Sequence, residues 1–180
     1  MMKNINNLVV LVDENDHETG TCEKLAAHLS GELHRAISVF IFNSEKKMLL
    51  QKRALSKYHS GGLWTNACCS HPHPGESTLN AAKRRLQEEM GIKEENLKYV
   101  FNFTYKAFLD NDLIEHELDH VFIGKTDEIP VPNSEEVSEW KYISISELEQ
   151  NLKENPNAYT HWFKLIFDRI KTEAEKEGLI

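Results

Sequence analysis

Short apolar blocks separated by polar turn-formers run through this chain, and helical spacing interrupts them four times. The block LVVLV, Leu8 to Val12, runs into Asp13, Glu14 and Asp16 and reads as a strand ending in a turn. CEKLAAHLSG reads as a short helix, with Thr21 as its N-cap and Gly31 as its C-cap. AISVFIFN and MLLQKRAL form a hairpin around SEKK. From Glu76 to Met90 the residues Leu79, Ala82, Leu86 and Met90 keep helical spacing, and Gly91 stands where a C-terminal cap belongs. YVFNFTYKAFL and LIEHELDHVFIG flank DND as a second hairpin. EWKYIS is then a strand, SISELEQNL a short helix, and Asn155 to Asn157 an interruption. An amphipathic helix from about Thr160 to Lys176 closes the chain. Strands outnumber helices but alternate with them, so the expected class is α/β or α+β, with a mixed sheet between helical layers. No repeat, low-complexity tract or linker divides the chain, and residues 1–180 are expected to form one domain.

Composition narrows the function classes. The chain has 180 residues, 40% of them hydrophobic, enough for a sizeable core. A formal net charge of −8 argues against a protein that binds nucleic-acid backbones. Any anionic ligand therefore needs a local basic pocket. Leu8 to Val12 is far too short to span a bilayer, so a soluble protein with no membrane partner is expected. Three cysteines, two of them adjacent, make no disulfide framework and point to the reducing cytoplasm.

Candidate chemistry starts with the nine histidines. His28 and His34 flank a helix-to-strand junction, and His71 follows the cysteine pair in WTNACCSHP. If Leu113 to Ile123 is a strand, Glu115 and Glu117 share a face, because side chains alternate with period two. Three imidazoles and two carboxylates suit manganese, iron or zinc better than magnesium alone. HELDH, residues 116–120, also spells the His-Glu-x-x-His of zinc metalloproteases, with Glu139 a conceivable third ligand. That motif requires a helix. The flanking DND and Gly124 and the β-rich partner segment favour a strand instead.

SHPHPGESTLNAAKRRLQEEMGI resembles the Nudix signature, in which a loop and helix carry glutamates that bind the metal of a diphosphate. Glu76, Arg84, Leu86, Glu88, Glu89, Gly91 and Ile92 fall on its pattern, while Ser70 replaces its first glycine and Arg85 the glutamate after the arginine. The second departure puts diphosphate hydrolysis, the alternative activity on this fold, in doubt. TGTCEKLAAH, RALSK, WTNACCSHP, GESTLNAAKRRLQEEMG and EHELDH further resemble, in order and spacing, the type 1 isopentenyl diphosphate isomerases. The resemblance runs from about Leu8 to Trp162. It implies a Nudix fold, a 1,3-allylic proton shift on a small diphosphate substrate, and a monomer or weak dimer. It also implies His28, His34, His71, Glu115 and Glu117 as ligands of one divalent ion, Mn2+ or Zn2+, and Glu89 as a ligand of Mg2+ that accompanies the diphosphate. Cys69 and Glu117 would be the proton-transfer groups, Tyr105 and Trp162 aromatic partners of the reacting centre, and Lys24, Arg53, Lys57 and Arg85 the substrate-binding cations. Between the two cysteines, alternation places Cys69 on the side of His71 and Cys68 in the core.

Overall fold

The structure is a computed structural model that describes residues 7–180; residues 1–6, counted within the expected domain, lie outside them. Its strands are β1 (Leu8–Val12), β2 (Glu18–Glu23), β3 (His34–Phe42), β4 (Lys47–Arg53), β5 (Trp64–Thr65), β6 (Cys68–Ser70), β7 (Lys98–Phe108), β8 (Ile114–Lys125) and β9 (Val137–Ser144). Its helices are α1 (Lys24–Ser30), α2 (Thr78–Met90), α3 (Ile145–Glu154) and α4 (His161–Lys176).

β3 organises the sheet. It runs parallel to β8 from His34 opposite Glu117 to Phe42 opposite Lys125, and β8 pairs antiparallel with β7. β6 lies antiparallel on β3 through Ile37, Ser38 and Val39, and β1 meets β3 where Leu11 faces His34. The expected SEKK hairpin forms, but its arms separate after Phe42 and Met48, and β4 then pairs with β9 from Lys47 to Arg53. The reason is long-range: Leu49 and Leu50 bury to opposite faces, so β4 needs neighbours that complete both layers.

The two faces of the sheet carry separate cores, as expected of a sheet between helical layers. Ile37, Val39 and Ile41 of β3 pack with Leu86 and Met90 of α2. Phe40 and Phe42, one residue out of phase, pack with Phe163, Ile166 and Phe167 of α4. Each such fully buried side chain contributes about 1.5–3 kcal/mol of transfer free energy, which fixes the register against a one-residue slip. Ser77 caps α2 by accepting from the Asn80 amide at 3.2 Å, and Gly91 ends it at φ 70°, where an added Cβ would lie 2.7 Å from the Val131 carbonyl.

One cap differs from expectation. Thr21 sits in β2, opposite Val10, and α1 is capped by Glu23, whose carboxylate accepts from the Ala26 amide at 3.0 Å. β2 reads ETGTCE, polar and mostly exposed, so no apolar alternation announces it. Gly31 closes α1 in the left-handed conformation, as its position predicts.

Candidate active site

One face of β8 changes character along its length. Val121 and Ile123 are buried in the apolar layer beneath α4, whereas Asp119, Glu117 and Glu115, continuing the same alternation, line a cavity beyond it. Strand register aligns the cavity wall: Glu117 is opposite His34 of β3 on one side and Tyr105 of β7 on the other. β6 ends beside them and delivers His71, and α1 delivers His28.

His28, His34, His71 and Glu117 each offer a donor atom within 4.8 Å of all the others. His28 Nδ1 faces the Lys24 carbonyl at 2.8 Å, and His34 Nδ1 faces the Glu32 carbonyl at 2.8 Å. A carbonyl only accepts, so each Nδ1 carries the hydrogen and each Nε2 keeps a bare lone pair. Both Nε2 atoms and His71 Nδ1 are buried without a hydrogen-bond partner. The two backbone-anchored imidazoles, His28 and His34, each with an orphaned Nε2, fit a divalent metal, because ligating histidines characteristically donate their other N–H to a carbonyl or carboxylate. His71 Nε2 lies 2.9 Å from Glu117 Oε1, a spacing suited to neighbouring ligands of one ion.

The two glutamates are driven apart. Burial and the charge of Glu117 push Glu115 well above the carboxylate range, whereas His34 and His71 overcome burial and hold Glu117 well below it. The Tyr105 hydroxyl is shared between Glu117 Oε2 at 2.7 Å and Glu115 Oε2 at 3.1 Å. Across the cavity, Cys69 sits opposite Ser38 in the β3–β6 ladder, and the Arg53 guanidinium lies 3.9 Å from its sulfur. Burial outweighs Arg53 and pushes the Cys69 thiol up to about 12, so it is a neutral S–H. Cys68 points to the other face, fully buried in the α2 layer, its sulfur 3.7 Å from Glu89 Oε1. Trp162 lines the cavity with Arg53 stacked 5.4 Å from its ring and its indole N–H donating to Asn66 at 3.3 Å.

A second chamber, on its outer side, shares Lys24, Lys57, Arg85 and Glu136 with the first and is bordered also by Arg84 and Glu88. Burial, then Lys57 and Arg85, lower the Lys24 ammonium to about 8. Glu136 lies between Lys57 Nζ at 2.5 Å and an Arg85 nitrogen at 3.1 Å.

A family profile for the NUDIX domain matches residues 32–165. An isopentenyl-diphosphate Delta-isomerase of Pectobacterium atrosepticum is 59% identical over 162 residues, 90% of each chain. Isopentenyl-diphosphate Delta-isomerase 1 of Aromatoleum aromaticum is 56% identical over 94% of this chain and 95% of its own. The chain belongs to the isopentenyl-diphosphate Delta-isomerase family of the Nudix superfamily. The crystal structure of DR0079 from Deinococcus radiodurans superposes with a TM-score of 0.72 over 89% of this chain and 98% of its own; at 18% identity it shows the shared fold.

Within this isomerase-family site, the sequence-expected residues divide into groups. His28, His34, His71 and Glu117 converge, and Cys69, Tyr105, Glu115, Trp162, Arg53, Lys24, Lys57 and Arg85 line the same cavity. Glu89 stands apart from the histidines, buried on α2, accepting from Gln51 and Arg85 at 2.8 Å each. The HELDH protease alternative is overturned: β8 is a strand, so His116 and His120 face away from Glu117, His116 toward the Gly31 carbonyl at 3.0 Å and His120 toward Asp16 at 2.9 Å. Glu139 pairs with Lys52 at 2.6 Å on β9. Sequence motifs single out neither His59 nor Glu136, nor Ser38, Tyr58 and Asp119, all of which line the cavity.

Proposed function

We infer that this chain converts isopentenyl diphosphate to dimethylallyl diphosphate by moving a proton, and that the two-chamber cavity is where it does so. The observation that carries this reading is the pairing of a buried neutral thiol, Cys69, and a carboxylate, Glu117, in one wall-lined chamber behind a basic entrance. The reaction adds a proton to the terminal methylene of an alkene and removes one from the carbon nearer the diphosphate. An alkene is a weak base, so the acid must work in a dry site that tolerates a tertiary cation.

Lys24, Lys57 and Arg85, which line both chambers, hold the diphosphate, Arg53 adds a cation within the inner chamber, and the hydrocarbon end enters that chamber. Cys69 and Glu117 then serve as the two proton-transfer groups, with the Tyr105 hydroxyl orienting the Glu117 carboxyl. The Trp162 ring excludes water and offers a π face to developing positive charge, an interaction of about 0.5–2 kcal/mol. His28, His34, His71 and Glu117, with Glu115 beside them, would hold a divalent ion, Mn2+ or Zn2+, which would supply fixed positive charge next to Glu117 and lower its proton affinity. Mg2+ would accompany the diphosphate, and Glu89, whose carboxylate oxygens are held by Gln51 and Arg85, would reach it only by giving up one of those partners.

These groups are delivered by α1, β3, β6, α2, β8 and α4 together, which supports the chain acting as one domain, and a monomer or weak dimer remains part of the proposal. The three unpaired thiols support a cytoplasmic setting, and among the described residues no helix is long and apolar enough to cross a membrane. Incubation with isopentenyl diphosphate and Mg2+ in deuterated water should give dimethylallyl diphosphate carrying deuterium. Release of inorganic phosphate without that product would replace this reading with diphosphate hydrolysis.

A further inference from the structure

The inner chamber holds an imidazole that neither the sequence motifs nor the ligand set above assigns. His59 lies between β4 and β5, in a segment that lines the cavity, and is 7% exposed. Its Nδ1 is 3.3 Å from the Ser60 hydroxyl, and its Nε2 points at Glu115 Oε1 from 3.5 Å. The ring lies nearly parallel to His28, centroids 5.8 Å apart at 26°, and meets Trp162 edge-on at 6.2 Å.

The backbone is built to hold this ring inward. Arg53 donates to the His59 carbonyl at 3.3 Å. Ser60 adopts a left-handed φ of 52° and Gly62 one of 77°. At Gly61 an added Cβ would lie 2.9 Å from the Leu55 carbonyl, so the turn folds back on its own entry.

His28, His59 and Glu115 each offer a donor atom within 4.8 Å of the other two. Ligand bonds of about 2.1 Å place cis donors about 3 Å apart and trans donors about 4.2 Å apart. The 3.5 Å between His59 and Glu115 falls inside that window, and it is long for a direct hydrogen bond. We propose that His59 is a ligand of the divalent-metal centre, acting with His28 and Glu115 in a donor set that shares His28 with the set of His28, His34, His71 and Glu117. His59 and Glu115 thus frame, with His28, a second position for the ion that overlaps the one framed by His28, His34, His71 and Glu117, and a donor set of two imidazoles and a carboxylate suits a transition metal. The segment carrying His59 thereby becomes part of the metal site.

This inference rests on the reading that a divalent ion sits among these side chains, and the experiment separates the two. Metal-free full-length protein is titrated with Co2+, recording the visible d–d absorption and the Kd, for the wild type, His59→Ala, His59→Phe and His28→Ala. The Phe variant keeps ring packing against His28 and Trp162 without a donor nitrogen, and melting temperatures of the metal-free forms establish that each is folded. Both His59 variants should bind Co2+ about 10–100-fold more weakly than the wild type, with a changed d–d band. Wild-type Kd and spectrum in a folded His59→Phe would overturn the proposal and leave His59 as a hydrogen-bond partner of Glu115. Equal, weak Co2+ binding by the wild type and His28→Ala would overturn the metal centre itself.

Discussion

The inner and outer chambers share a wall but treat ionisable groups in opposite ways. In the inner chamber burial dominates: it raises Cys69 to about 12, lowers His59 to about 3, raises Tyr105 and Glu115, and lowers His28 and His71. Each of these is pushed to its neutral form, whereas Glu117, with two imidazoles beside it, is held charged. In the outer chamber burial is outweighed by partners. Lys57 and Arg85 bring Glu136 down to about 2, and Glu89 and Glu136 raise Arg85 in turn. The difference lies in how many opposite charges each group can reach. Neutral acids in a dry chamber suit proton exchange with carbon, and fixed charges at its entrance suit an anion. Lys24, at about 8, stands on the boundary between the two.

The sharpest way to break this comparison is at the doubled cysteine, whose two thiols lie on opposite faces of the sheet. Cys69→Ala should lower kcat by about 10²–10⁴-fold, the range for loss of a proton-transfer group, with melting temperature and metal content nearly unchanged. Cys68→Ala should instead cost about 1 kcal/mol of stability by opening a small void against α2, and spare most of the rate. A slow Cys68 variant beside an active Cys69 variant would mean that the thiol facing the chamber is not the reacting one.

The outer chamber should answer differently. Lys57→Ala and Arg85→Ala each remove a charge-assisted contact of about 1.5–3 kcal/mol, so KM for the diphosphate should rise about 10–100-fold while kcat changes less. Steady-state kinetics at fixed Mg2+ make the split visible. A fall in kcat with KM unmoved would place these cations in the chemical step and erase the division between chambers.

Much of the architecture was legible because it rests on local pattern. The α2 periodicity with Gly91, the β7–β8 hairpin around DND and the amphipathic α4 all announce themselves in runs of residues. β2 did not, since an exposed polar edge strand has no core face to display. Nor did the pairing of β4 with β9, which depends on residues about 90 positions later in the chain. For the site, strand alternation alone put Glu115 and Glu117 on one face and separated Cys68 from Cys69. Residue type suggested the grouping of His28, His34 and His71, and family resemblance singled it out, because no period links a helix, a strand start and a loop. His59 and Glu136 were invisible for the same physical reason: their places are set by a turn and by partners far away in sequence.

The smallest expected effect tests the outer chamber at rest. With its folded pKa at about 2 and an ordinary carboxylate value of 4.5, Glu136 binds its proton more readily in the unfolded chain. Stability from this group is therefore full above pH 4.5 and lost as pH falls toward 2. A shift of this size caps the contribution at about 3 kcal/mol, and screening in the open cleft reduces it to about 1–2 kcal/mol. Denaturant unfolding of the wild type and Glu136→Gln, both metal-free, should show the wild type ahead by that amount at pH 6. The gap should close between pH 4.5 and 2, while acid effects common to both proteins, such as protonation of His28 and His71, cancel in the difference. A gap constant from pH 6 to 2 would show that Glu136 stabilises by packing rather than charge, and that the outer chamber does not depend on its ion pairs.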